Sequence, residues 1–188
     1  MRSRQPKWKW FRVALAATLV LGACATPEEA EEEDEAAATT TTQPAEEVSV
    51  TARDYAFDGI PAQIDAGSKL TLKNASAKEV HEVIAVKLPE SENRPVADLV
   101  GLPQADLEKL MSETATVLVA LPNSDGMAVE GDGTLADAGR YMFVCFIPTG
   151  ADPAAYQAAI QNPQGGPPNV SGGPPHATQG MLTEATVG

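Results

Sequence analysis

From residue 48 onward, apolar and polar positions alternate in short runs. Val48, Val50 and Ala52 occupy every second place and are followed by Tyr55 and Phe57; Leu70 and Leu72 mark a second run, and residues 83–88 a third. Residues 115–121, Ala-Thr-Val-Leu-Val-Ala-Leu, read as a buried strand. Residues 141–147 form another, and residues 181–187 close the chain with Leu182, Ala185 and Val187. A period of two is the strand signature, because successive side chains point to opposite faces of a sheet. Asp58-Gly59, Ala66-Gly67, residues 74–78 and Ala138-Gly139 supply the turns between runs. Six or more short strands so separated predict an all-β sandwich. Two stretches keep helical spacing instead. Leu107, Leu110 and Met111 after Pro103 predict a short amphipathic helix over 104–113, ahead of residue 115. Asp152-Pro153 reads as an N-cap followed by proline at the first helical position, with 154–160 continuing the helix and Asn162-Pro163 stopping it. A Pro/Gly-rich arm follows, in which Gly165-Gly166-Pro167-Pro168 is echoed by Gly172-Gly173-Pro174-Pro175. Two copies seven residues apart are too short for a repeat architecture and predict a stiffened loop.

The pattern before residue 48 is of another kind. Arg2, Arg4, Lys7, Lys9 and Arg12 precede the apolar run 13–21, which is too short for a bilayer-spanning helix of about 20 residues. Residues 1–23 therefore read as a cleaved signal peptide. It ends Leu21-Gly22-Ala23-Cys24, which resembles the bacterial lipoprotein box, in which the cysteine becomes the lipidated N-terminus. Residues 25–47 hold no aromatic and no large aliphatic residue, only glutamates, alanines and a four-threonine run among small and polar residues. Such a segment cannot bury a core and predicts a disordered tether of roughly 25–30 Å mean span. The domain division expected is thus 1–23 signal, 24–47 lipidated N-terminus and acidic linker, and 48–188 folded domain.

Charge narrows the partners. All 26 acids lie beyond residue 23, with only eight of the 13 Lys and Arg, and residues 48–188 alone carry a net charge of −9. A body of that sign is repelled by nucleic acid and attracted to a partner with a basic face.

The candidate chemistry rests on few residues. The chain has two histidines, His81 and His176, and two cysteines; with Cys24 assigned to the lipid, Cys145 is a lone thiol in an oxidising compartment. Met181 follows His176 by five residues. Two imidazoles and a thiolate in a plane, with a weak thioether on the axis, are the donor set of a blue-copper centre. The soft sulfurs suit Cu(I), and the nitrogens suit Cu(II). His81 lies just past an Asn-containing loop at the start of a strand, Cys145 near the end of another, and His176 and Met181 lead into the last. In this order the residues resemble the plastocyanin/azurin family of cupredoxins, and the segment from Phe57 to Gly67 is similar to the opening of bacterial cupredoxin domains. The resemblance implies a Greek-key β-sandwich holding one copper ion through His81, Cys145, His176 and Met181, with the second histidine at the exposed edge where electrons leave.

Two features depart from the family. Thirty residues, 146–175, separate Cys145 from His176 where the family has a few, so a helix-containing insertion is expected between the last two strands, beside or over the site and belonging to a docking surface. The residue after the first histidine, often Asn in the family, is Glu82, expected to face solvent. The metal-free site would leave Cys145 beside two imidazoles able to lower its pKa. Three functions fit: a membrane-anchored one-electron carrier; a copper storage, delivery or sensing protein without a redox partner; and a copper-free cupredoxin-like binding module. No histidine is left over for a second copper centre, so an enzyme is not expected.

Overall fold

The computed structural model describes residues 46–161 and 168–188. The signal segment, Cys24, nearly all of the acidic linker, Asn162-Pro163 and most of the first Gly-Gly-Pro-Pro copy lie outside them.

Within the described residues the alternating runs become strands of two sheets. The smaller sheet has the order β2-β1-β4, from β1 (Glu47–Arg53), β2 (Ala56–Asp58) and β4 (Lys69–Asn74). The larger has the order β3-β9-β8-β5-β6-β7, from β3 (Gln63–Ile64), β5 (His81–Lys87), β6 (Thr114–Ala120), β7 (Met127–Glu130), β8 (Gly139–Val144) and β9 (Leu182–Val187). Strands β5, β6 and β7 follow one another antiparallel, and β8 returns to pair with the free side of β5. That spatial order, 8-5-6-7, is a Greek key. The expected sandwich is therefore the observed fold.

Val48, Val50, Ala52, Leu70 and Leu72 from the small sheet meet Val83, Ala85, Leu118, Tyr141, Phe143 and Ala185 from the large one in a single apolar core. A second cluster lies on the other face of the large sheet. There Ile84, Val86, Met142 and Val144 pack with Val96 and Leu99 of α1 (Val96–Leu99) and Leu110 of α2 (Gln104–Met111). Covered on both faces, β5 is buried at six consecutive positions, and its residues 83–86 read as a continuous apolar run rather than an alternating one.

The third helix, α3 (Pro153–Gln161), starts where the sequence places it. Asp152 Oδ1 accepts the Ala155 N–H at 2.7 Å and Pro153 opens the first turn. Strand β7 was not legible because all four of its side chains are exposed.

Candidate metal centre

Each candidate donor is delivered by a different local device. His81 is the first residue of β5, held from behind by Asn74. The Asn74 amide donates to the Glu79 carbonyl at 2.8 Å and to the Ala120 carbonyl at 3.0 Å, while its own oxygen accepts the Ser76 N–H at 2.8 Å. Ala120 is the register partner of His81, so one buried amide ties the 74–80 loop to the strand beside the histidine. Cys145 follows the last residue of β8 and shares the inward face with Tyr141 and Phe143. His176 begins a 3-10 turn, His176–Gln179, that Gly180 closes at φ 104°. A positive φ of that size favours glycine.

The thirty-residue separation between Cys145 and His176 does not loosen their pairing, because the two ends of the insertion are stapled together. The Ala177 N–H donates to the Cys145 carbonyl at 2.8 Å, His176 N–H to Ile147 at 3.0 Å and Thr149 N–H to Pro174 at 3.0 Å. Cys145 N–H in turn donates to the Met181 carbonyl at 3.2 Å, and Met181 N–H to His176 at 3.1 Å. The chain leaves the site at Pro148 and re-enters at Pro175, which are bridged across the stem. Backbone hydrogen bonds thus join the two ends of the insertion beside the candidate donors.

The donor atoms converge. One nitrogen of His81, Sγ of Cys145 and one nitrogen of His176 all lie within 4.8 Å of one another, and all three residues are buried. Cys145 Sγ is 3.3 Å from His176 Nδ1, and the two imidazole centroids are 4.9 Å apart. Met181 is fully buried, and its backbone is bonded to those of Cys145 and His176. The outer nitrogens face carboxylates. His176 Nε2 lies 3.3 Å from Glu79 Oε2, which also accepts the Gly150 N–H at 2.8 Å, and His81 Nε2 lies 3.5 Å from Asp54 Oδ1.

Electrostatics favour neutral rings. Burial lowers the His81 pKa to about 4, assisted by the neighbouring His176 and opposed by Asp54; burial also lowers that of His176. Both rings therefore keep a lone pair at neutral pH. His81 Nδ1 is buried with no hydrogen-bond partner among the described residues. A buried nitrogen without a partner costs free energy unless something binds it. Two imidazole nitrogens, a thiol sulfur and a buried thioether together fit one copper ion.

Three expectations are corrected. His176 is not an exposed edge: its side chain is 0 % accessible, with the Tyr55 ring edge-on at 5.1 Å and Glu79 across its outer nitrogen. Glu82 is not solvated. Alternation along β5 turns it to the face opposite His81, but that face is covered too, and its two oxygens accept from Phe146 N–H at 2.9 Å and Tyr156 O–H at 3.0 Å. Cys145 is not an activated thiol, since burial and the nearby Glu82 charge push its pKa well up. The covering groups Asp54, Tyr55 and Glu79 were not singled out in the sequence. Only the Asp54-Tyr55 turn between two strands could have flagged the first two.

Among the described residues, then, a Greek-key β-sandwich of the kind the sequence predicts buries two histidines and a cysteine close together. No protein-family model matches the chain, and no curated protein matches its sequence. Among solved structures it is similar to auracyanin A, a "blue" copper protein of the green thermophilic photosynthetic bacterium Chloroflexus aurantiacus, at 19% identity over 76% of this chain and 98% of that one, with a TM-score of 0.38. It is also similar to the dithionite-reduced auracyanin of Roseiflexus castenholzii, at 17% identity over 76% and 96% of the two chains with a TM-score of 0.42. Auracyanin B shows 15% identity over 78% and 91%, with a TM-score of 0.39.

Proposed function

We propose that this chain is an extracytoplasmic, lipid-anchored mononuclear copper protein that carries single electrons. The observation that carries the reading is the buried, unpartnered Nδ1 of His81 in a cluster with Cys145 and His176. His81, Cys145, His176 and Met181 would hold the ion, and copper would supply a one-electron couple. The protein's part is to keep the donors fixed in both oxidation states. The stem joining Cys145–Pro148 to Pro174–Met181 supports this, because donors held by backbone hydrogen bonds need not rearrange as the charge changes. Copper delivery is disfavoured by the same stem, whose backbone hydrogen bonds would have to break for His176 and Met181 to swing away.

The anchor reading is supported by the sequence Leu21-Gly22-Ala23-Cys24 after a basic and then apolar N-terminus. Among the described residues no helix is long and apolar enough to cross a membrane. Replacing Cys24 with Ser should yield protein without a diacylglyceryl group; a lipid retained on that variant would remove the anchor. The partner is proposed as a protein with a basic face, supported by the net charge of −9 on residues 48–188 and by Asp54 and Glu79 beside the outer histidine nitrogens.

The test is copper titration followed by voltammetry. The reading expects one copper per chain and a reversible one-electron wave, both lost in His81→Ala. Copper bound without a reversible wave would assign handling instead, and no copper bound would leave a binding module.

A further inference from the structure

The insertion between the last two strands reaches back to the cysteine. Its helix α3 buries one residue, Tyr156, which is 2 % exposed and belongs to the larger apolar cluster. The Tyr156 hydroxyl donates to Glu82 Oε2 at 3.0 Å, and Glu82 Oε1 accepts the Phe146 N–H at 2.9 Å. The β5–β8 ladder ends at Ile84 opposite Val144, and the same register continued by two residues sets Glu82 opposite Phe146. At that place the Glu82 side chain takes the amide of the residue after Cys145. A carboxyl group bonded at both oxygens is fixed in position. Glu82 also neighbours His81 in the chain, so one side chain links the residue after Cys145 to the strand position after His81.

We propose that Tyr156 is a positioning residue of the metal centre: by holding Glu82 it fixes the Phe146 amide, and so the backbone that aims Cys145 Sγ at the two histidines. The insertion then belongs to the construction of the site, not to a docking surface alone. The proposal deepens the copper reading, and its first readout does not depend on copper.

That readout is amide hydrogen exchange of the metal-free protein in Tyr156→Phe, which deletes one oxygen from the ring. Losing one of the two bonds that fix Glu82 frees the Phe146 amide by up to about tenfold in exchange rate, beyond any change shared by the whole core. The second readout is the visible spectrum with Cu(II), whose thiolate band should shift or weaken in the same variant. Glu82→Gln keeps an acceptor for Phe146 and a group able to pair with the Tyr156 oxygen, and should stay close to the parent in both. Glu82→Leu has neither, and should exceed Tyr156→Phe. A merely structural tyrosine would lower stability while leaving the Phe146 rate, relative to the core, unchanged, and that result overturns the proposal. If the parent itself shows no thiolate band, the copper reading fails, and Phe146 exchange decides alone. Acceleration there upholds the clamp, and an unchanged rate overturns it.

Discussion

Asn74 offers a sharp test of how the site is held, because its amide makes three hydrogen bonds while only 1 % exposed. Asn74→Ala removes all three and leaves the Ala120 carbonyl and the Ser76 N–H without this partner, both in buried residues. At about 1 kcal/mol net for each bond, the loss comes to about 3 kcal/mol, and orphaned buried groups add to it. For a chain of this size that lowers Tm by roughly 6–12 °C. Asn74→Asp separates hydrogen bonding from volume. It is nearly isosteric and keeps the acceptor for Ser76, but it turns an oxygen toward the Glu79 and Ala120 carbonyls in place of a donor. At neutral pH the variant buries a carboxylate against two carbonyl dipoles and should be less stable than Asn74→Ala. Its folded pKa is raised above the ordinary value of about 3.9, so the protonated form is favoured in the fold. The penalty is therefore small near pH 4 and grows as pH rises toward 7. The assay is urea denaturation of metal-free protein at both pH values, with Asn74→Ala measured alongside. A loss below 1 kcal/mol in Asn74→Ala, or an Asp variant as stable as the parent at pH 7, would refute the reasoning.

Other outcomes follow from the same geometry. Metal-free protein should lose stability as pH falls from about 6.5 toward 4: both histidines keep depressed pKa values in the fold, His81 to about 4, so the unfolded chain binds the extra protons across that window. A His81→Asn variant should show a weaker dependence, and a urea midpoint equally pH-dependent in both proteins would contradict the burial argument. Gly172→Ala should destabilise by about 1–3 kcal/mol, because a Cβ there would stand 2.5 Å from Pro148 Cβ and 2.9 Å from the Thr149 carbonyl in the stem. Unchanged copper affinity and stability would show that the stem is not needed. Met181→Leu should keep the thiolate absorption and raise the reduction potential, since the more highly charged Cu(II) loses more than Cu(I) when a fourth donor goes. A potential equal to the parent's would place Met181 in the core only.

The sequence carried the sandwich because its strands mostly bury one face, and Val48, Val50, Leu70 and Leu72 alternate accordingly. Helix α3 was legible for a local reason, the Asp152-Pro153 pair that caps it. The His81, Cys145 and His176 grouping was legible because so few soft or imidazole donors exist in the chain. What surrounds them was not. Glu82 looks like a solvated strand residue until a second apolar layer and Tyr156, 74 residues on, close over it. His176 looks exposed until Tyr55 and Glu79, each about a hundred positions away in sequence, meet it in space. The insertion reads in sequence as a docking surface because sequence distance hides the stem that brings Pro148 to Pro175. In each case local pattern gave the residue, and a long-range contact gave its environment.

The central claim is that Cys145 and the two histidines bind one copper ion together, and the visible spectrum of the folded domain with Cu(II) tests it most directly. The account predicts one intense copper–thiolate band per chain, absent from Cys145→Ser, with Cys145 in the metal-free protein slow to alkylate because it is fully buried. A Cys145→Ser protein with the parent's spectrum, or a parent showing only the weak absorption of copper bound without sulfur, would contradict it.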